Sequence, residues 1–102
     1  MQFSEYQKEA MDFRLNSATD TYALLGLAGE VGELLSLFAK SIRDQTVLDP
    51  VDLSKELGDI LWFIAAIADD NEIDLNFVAQ GNLVKLIDRR ARNAIQGSGD
   101  NR

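Results

Sequence analysis

The chain has 102 residues, 46% of them hydrophobic and 26% charged, which is the size and composition of one globular domain and excludes disorder for its bulk. Its formal net charge of -7 argues against a broad basic surface for duplex nucleic acid, yet leaves room for a small phosphorylated ligand that needs only a few cations. Without Cys there is no disulfide or thiol chemistry, and without His there is no nucleophile–His catalysis of the usual type.

The N-terminus MQFSEYQKEA is charged early and lacks an apolar signal core. The longest unbroken apolar run, Ile60 to Ala68, is too short to span a bilayer. The expectation is a cytoplasmic protein that contacts no membrane. One Pro, few β-branched runs and repeated 3–4 spacing predict an all-α fold of four helices. The first is expected over 4–15, followed by a polar break at Asn16 to Thr19 with Asp20 or Thr21 as the next N-cap. The second is expected over 21–41, with its apolar face on Leu24, Leu27, Ala28, Val31, Leu35 and Phe38. Asp49-Pro50 signals the start of the third, over 50–69, because Asp caps and Pro suits the first turn. Asp70-Asn71 breaks it, and Asp74 can cap a fourth over 75–95 whose Leu83, Val84 and Ile87 face the core. One domain is expected over residues 1–96, with GSGDNR as a flexible tail over 97–102. The segment ILWFIAAIA in the third helix is apolar on every side, and three neighbours in so short a chain could hardly cover it. A homo-oligomer that buries this helix near the subunit contact is therefore predicted.

Four carboxylates carry the chemistry. Glu30 and Glu33 sit at i and i+3 in the second helix, and Glu56 and Asp59 at i and i+3 in the third. Each pair shares a helix face. At about 100° per residue, Glu56 falls inside the apolar face between Phe63 and Ile67, and Asp59 falls next to that face, between Phe63 and Ala66. Glu30 lies at the edge of its apolar face beside Leu34 and Leu37, and Glu33 is the more exposed of the pair. A carboxylate on an apolar face carries a large desolvation cost, and several facing one another repel. Something positive must sit among them. Lys and Arg are not interleaved with these acids, and Lys55 points about 100° away from Glu56. Bound cations are the better account, and all-oxygen ligands suit Mg²⁺ or Mn²⁺. Di-iron bundles use Glu-x-x-His, which a chain without His cannot supply.

Asn82, Lys85 and Arg89 lie along one stripe of the fourth helix at i, i+3 and i+7, extended by Arg92. Such a stripe is either a solvated basic face near a helix C-terminus or a grip on phosphate oxygens. Beside a metal site, the phosphate reading is the better one. Near the acids, Phe3, Gln7, Tyr22, Trp62 and Phe63 are candidates for a base pocket, with Gln7, Tyr22 and Trp62 foremost among them.

Together these residues resemble a known family. GEVGELLSLFAK from Gly29, a spacer of 22 residues between Glu33 and Glu56, KELGDILWF from Lys55 and NLVKLIDRR from Asn82 follow the pattern of the all-α nucleoside triphosphate pyrophosphohydrolases. These include MazG, the dimeric dUTPases and the dCTP pyrophosphatases. The resemblance implies an all-α fold that assembles as a dimer or a dimer of dimers. It implies hydrolysis of a nucleoside triphosphate to monophosphate and pyrophosphate, by attack of water at the α-phosphorus. It implies Mg²⁺ at Glu30, Glu33, Glu56 and Asp59, with phosphates held by Lys85, Arg89 and Asn82. One of the four acids, with Glu33 as the candidate, activates the water, and the sequence does not say which. A non-standard nucleotide or a phosphoribosylated metabolite remains an alternative substrate, since phosphoribosyl-ATP pyrophosphohydrolases are similar enzymes. A non-catalytic cation-binding helical assembly is the alternative that needs no turnover.

Overall fold

The computed structural model describes residues 1–102, which form four helices and no strand: α1 (Phe3–Met11), α2 (Asp20–Asp44), α3 (Pro50–Asp70) and α4 (Leu75–Ala91). The all-α class and the helix count follow the sequence expectation. Asp49 accepts from Val51 N with Pro50 in the first turn, and Asp74 accepts from Asn76 N, so both act as N-caps. At α2 the cap is Thr19, one residue before the expected position; its Oγ1 accepts from Tyr22 N.

Helix ends depart further from expectation. α1 stops at Met11 because the following residues leave the helix to tie the α1–α2 connection down. Arg14 forks onto Asp70 through Nη1 and Nη2 at 2.8 and 3.0 Å, and its Nε donates to Ala18 O. The other three helices each close on a left-handed residue, Gln45, Glu72 and Asn93. In each case a later N–H reaches back five residues: Thr46 to Ser41, Ile73 to Ala68 and Ala94 to Arg89. This is the Schellman closure, which satisfies carbonyls the helix leaves open. Asn93 thus ends α4 well before Gly97.

α2 and α3 make the most extensive contact, α1 packs across α3, and α4 touches α1 and α3 but not α2. Ala23 and Ala66 are fully buried around Phe63, and a second small cluster joins Ala65, Ala68 and Leu75. The side of α2 that meets α3 is a row of mostly small or half-buried residues: Ala23, Gly26, Leu27, Glu30, Leu34 and Leu37. That row lies about one residue, or 100°, from the expected apolar stripe. Leu24, Val31, Leu35 and Phe38 of that stripe are instead exposed in the single chain. The cause is Phe63, whose ring lies where a Cβ on residue 26 would be, so only glycine admits it. On α4 the expected inward residues Leu83, Val84 and Ile87 are likewise exposed.

The chain is open for its length. Its radius of gyration is 16.5 Å, against about 13 Å for a compact domain of this size. Its accessible surface is 7752 Å², roughly 2,000 Å² above that of a compact monomer of this mass. No large side chain is fully buried. α2 is long and apolar enough by composition to cross a membrane, but Glu30 and Glu33 stand in its middle, and the core helix of a helical bundle has the same profile.

Candidate functional site

The contact between α2 and α3 brings Glu30, Glu33 and Glu56 together, with a carboxylate oxygen from each lying within 4.8 Å of the others. Helical spacing puts Glu30 and Glu33 one turn apart, and Glu56 meets them from the facing helix. Glu30 belongs to the packed row itself rather than to its edge, and it is half-buried, as is Glu56. Glu30 Oε2 and Glu56 Oε2 are both shielded from solvent, and neither has a hydrogen-bond partner within the chain. Glu33 and Asp59 are exposed.

Burial pushes the Glu30 carboxyl above its ordinary value of 4.5, and the negative charges of Glu33, Asp59 and Glu56 push it the same way. No cation within the chain relieves this. The ion pairs are Arg14–Asp70, Arg43–Asp44, Lys85–Asp100, Arg89–Asp100 and Arg92–Asp88, and none involves the four acids. Asp59 lies towards α1, where burial and then its charge raise the Tyr6 phenol above 10.0. Tyr6 is a neighbour of Asp59 that sequence reasoning missed. Its only sequence signal is a half-buried aromatic in α1, which most helices carry.

The basic stripe stands apart from this cluster, on a helix that does not touch α2. Its cations are already engaged by residues 97–102, which fold back along α4. Lys85 Nζ lies 3.0 Å from Asp100 Oδ1. Arg89, only 5% exposed, donates through Nη2 to Asp100 O at 2.7 Å. Asn82 is exposed. Lys85 and Arg89 hold the Asp100 carboxyl below its usual 3.8, the Lys85 hydrogen bond contributing most.

The residues considered for a base pocket divide. Tyr22 and Trp62 line an apolar cavity of about 310 Å³ with Phe13, Leu15, Ser17 and Ala18. Behind it the Tyr22 and Phe63 rings lie 5.8 Å apart, and Trp62 meets Phe63 edge-on at 5.1 Å. Trp62 Nε1 donates to Ala10 O, which fixes the indole between α1 and the cavity. Gln7 has a structural role. It is buried, its Nε2 donates to Ala65 O and Ile73 O, and its Oε1 accepts from Leu75 N, so its amide ties α1 to α3 and to the start of α4. Phe3 lies with Tyr6 and Leu61 at a separate small cavity.

The acid-lined seam can hold a divalent cation, since its donors are all oxygens and two of them are shielded and unpaired. A protein described as "Gene 37 protein" from Mycobacterium phage L5 is 43% identical to this chain over 86 residues, covering 80% of the chain and 75% of the relative. No solved structure matches. The MazG nucleotide pyrophosphohydrolase domain matches residues 18–93, a span that holds both acidic pairs and the basic stripe, and the chain therefore belongs to the MazG nucleotide pyrophosphohydrolase family.

Proposed function

We propose that the chain hydrolyses a ribo- or deoxyribonucleoside triphosphate to monophosphate and pyrophosphate in a Mg²⁺-dependent reaction, with nucleotide-pool housekeeping in the cytoplasm as its role. The observation that carries this reading is the pair of shielded, unpartnered oxygens of Glu30 and Glu56 on facing helices, beside Glu33. Buried like charges without a cation are costly, and a divalent ion with oxygen ligands removes that cost. Glu30, Glu33, Glu56 and Asp59 would hold Mg²⁺, or Mn²⁺, which when bound neutralises triphosphate oxygens.

The chain's own groups then have separate tasks. Glu33, exposed at the mouth of the cluster, orients a water and accepts its proton. The water oxygen bonds to the α-phosphorus as the bond to the β-bridging oxygen breaks, and pyrophosphate departs. Lys85 and Arg89, with Asn82, contact the phosphates and offset the charge of the leaving group. The base is received by the apolar cavity beside Tyr22 and Trp62. Because α4 does not touch α2 within one chain, the stripe serves the acids across a subunit contact of a homo-oligomer, a dimer or a dimer of dimers. The open shape and the excess surface support such an assembly, since the excess is of the order that a stable interface buries.

The test incubates the purified chain with Mg²⁺ and each common ribo- and deoxyribonucleoside triphosphate, assaying pyrophosphate and orthophosphate separately. Pyrophosphate with monophosphate, lost in EDTA and in Glu56→Ala, is the expected result, and the panel reveals the base preference. Orthophosphate alone would overturn attack at the α-phosphorus. No release, with Mg²⁺ still raising the melting temperature, would favour a phosphoribosylated substrate or a purely structural cation.

A further inference from the structure

The segment GSGDNR reverses direction after α4, and two of its residues make the reversal possible. Gly97 has φ +111° and Gly99 φ +85°, a left-handed backbone that residues with a Cβ rarely adopt. The returning chain is then fastened at both ends. Near its start, Arg102 Nη1 donates to Gly99 O at 2.6 Å, while its Nε and Nη2 donate to Ala94 O and Ile95 O. Arg92 Nη2 donates to Arg102 O at 2.7 Å. This clasp delivers Asp100 to the stripe. Its Oδ1 lies 3.0 Å from Lys85 Nζ and 3.4 Å from Arg89 Nη2, and its carbonyl takes the 2.7 Å bond from the same Nη2.

Three features separate this contact from an ordinary surface pair. Arg89 is buried, so the fork is held in place rather than sampling solvent. Its Nε is shielded and has no partner, so the tail leaves one donor of the fork unused. The Asp100 side chain is itself 82% exposed, so it can leave without opening the core. A carboxylate seated on a Lys and an Arg also presents the same chemistry as a phosphate oxygen: an anionic acceptor for a point charge and a planar fork.

We propose that residues 97–102 form an autoinhibitory latch, in which Asp100 occupies the cations that receive the substrate's phosphates and must be displaced for them to bind. The inference rests on the phosphate-binding role given to Lys85 and Arg89 above. Closed and open forms share one folded chain. The apparent affinity for a phosphate ligand is therefore the intrinsic affinity multiplied by the fraction open. A carboxylate that is itself 82% exposed shifts that fraction modestly, so unlatching should tighten binding by about two- to fivefold. The latch acts on the binding step and leaves the attack on phosphorus unchanged.

The experiment measures inorganic pyrophosphate binding to the 102-residue chain in Mg²⁺ by titration calorimetry. Asp100→Asn removes the competing charge, and Gly99→Val denies the tail its backbone turn while keeping Asp100. Both variants are expected to bind pyrophosphate about two- to fivefold more tightly than the parent. Adding Lys85→Gln to either should abolish the gain. Unchanged or weaker binding in both latch variants, while Lys85→Gln still weakens binding in the parent, would overturn the latch and leave the phosphate stripe standing. No effect of Lys85→Gln in any background would overturn the stripe, and the latch with it.

Discussion

The seam between α2 and α3 and the end of α4 both keep charge away from water, and they do it in opposite ways. In the seam, Glu30 and Glu56 share a half-buried space with Glu33, all of one sign, and two of their oxygens bond to nothing in the chain. At the end of α4 the buried Arg89 is met by a carbonyl and a carboxylate, so the charge is answered from within. Arg14 and Asp70 form a second answered pair, which is partly buried. An answered charge contributes to the fold and can be explained by it. An unanswered cluster of like charge works against the fold, and a bound cation or a proton there would relieve it.

The largest expected effect tests that difference directly. Glu56→Gln keeps the volume of the side chain and removes its charge. In the metal-free chain it should raise stability, because it removes one of the like charges gathered around Glu30. Turnover in Mg²⁺ should fall by about 100-fold or more, the loss typical of removing one preorganised electrostatic element. Melting curves in EDTA and a pyrophosphate assay give the two numbers. A variant that melts lower and still turns over would make Glu56 an ordinary structural acid.

Answered polar groups should respond with the opposite sign. Gln7→Ala strands Leu75 N–H and the carbonyls of Ala65 and Ile73 in a buried place, at a cost of about 2–3 kcal/mol in denaturant titration. The ranking of nucleotides by any turnover should survive, because the amide does not face the apolar cavity. A changed base preference at unchanged stability would return Gln7 to the pocket. Arg14→Met is the milder case, expected to cost about 1–2 kcal/mol, since the pair with Asp70 is only partly buried. It should also loosen the connection that carries Ser17 and Ala18, two walls of the cavity beside Tyr22 and Trp62. Protection of the Thr19 to Tyr22 amides against hydrogen exchange reports that loosening.

The pattern of success in reading the sequence follows from range. Helix starts at Asp49 and Asp74 were legible because a cap acts within three residues. The acidic pairs were legible because i and i+3 fix a shared face whatever the tertiary structure. The orientation of α2 was not legible. Its bulky leucines outweigh Ala23 and Gly26 in any hydropathy pattern, yet the small residues make the contact because Phe63 needs the space. The structural bonds of Gln7 were not legible for a related reason: its partners are backbone groups 58 to 68 positions away, which no local pattern can announce. The tail reads as flexible from its glycines. The same glycines permit the turn that brings Asp100 to the stripe, and the pairing that decides between those outcomes is tertiary.

The smallest effect, and the one most specific to the seam, is its pH dependence. In the folded chain burial and then three neighbouring charges raise the Glu30 carboxyl above 4.5, whereas in the unfolded chain it returns to that value. Between 4.5 and the raised value the folded form binds the proton more tightly, so stability should rise as pH falls through this window. The gain is complete below 4.5, where both forms are protonated. Glu30→Gln mimics the protonated state at every pH. In EDTA its stability advantage over the parent should therefore be largest near neutrality and should shrink as the pH is lowered. Saturating Mg²⁺ should reverse the order, because the ion stabilises the ionised parent and the variant has lost a ligand. Melting curves of the two proteins across this pH range, with and without Mg²⁺, separate a carboxylate kept for a cation from one that is merely misplaced, for which the metal would leave the order unchanged.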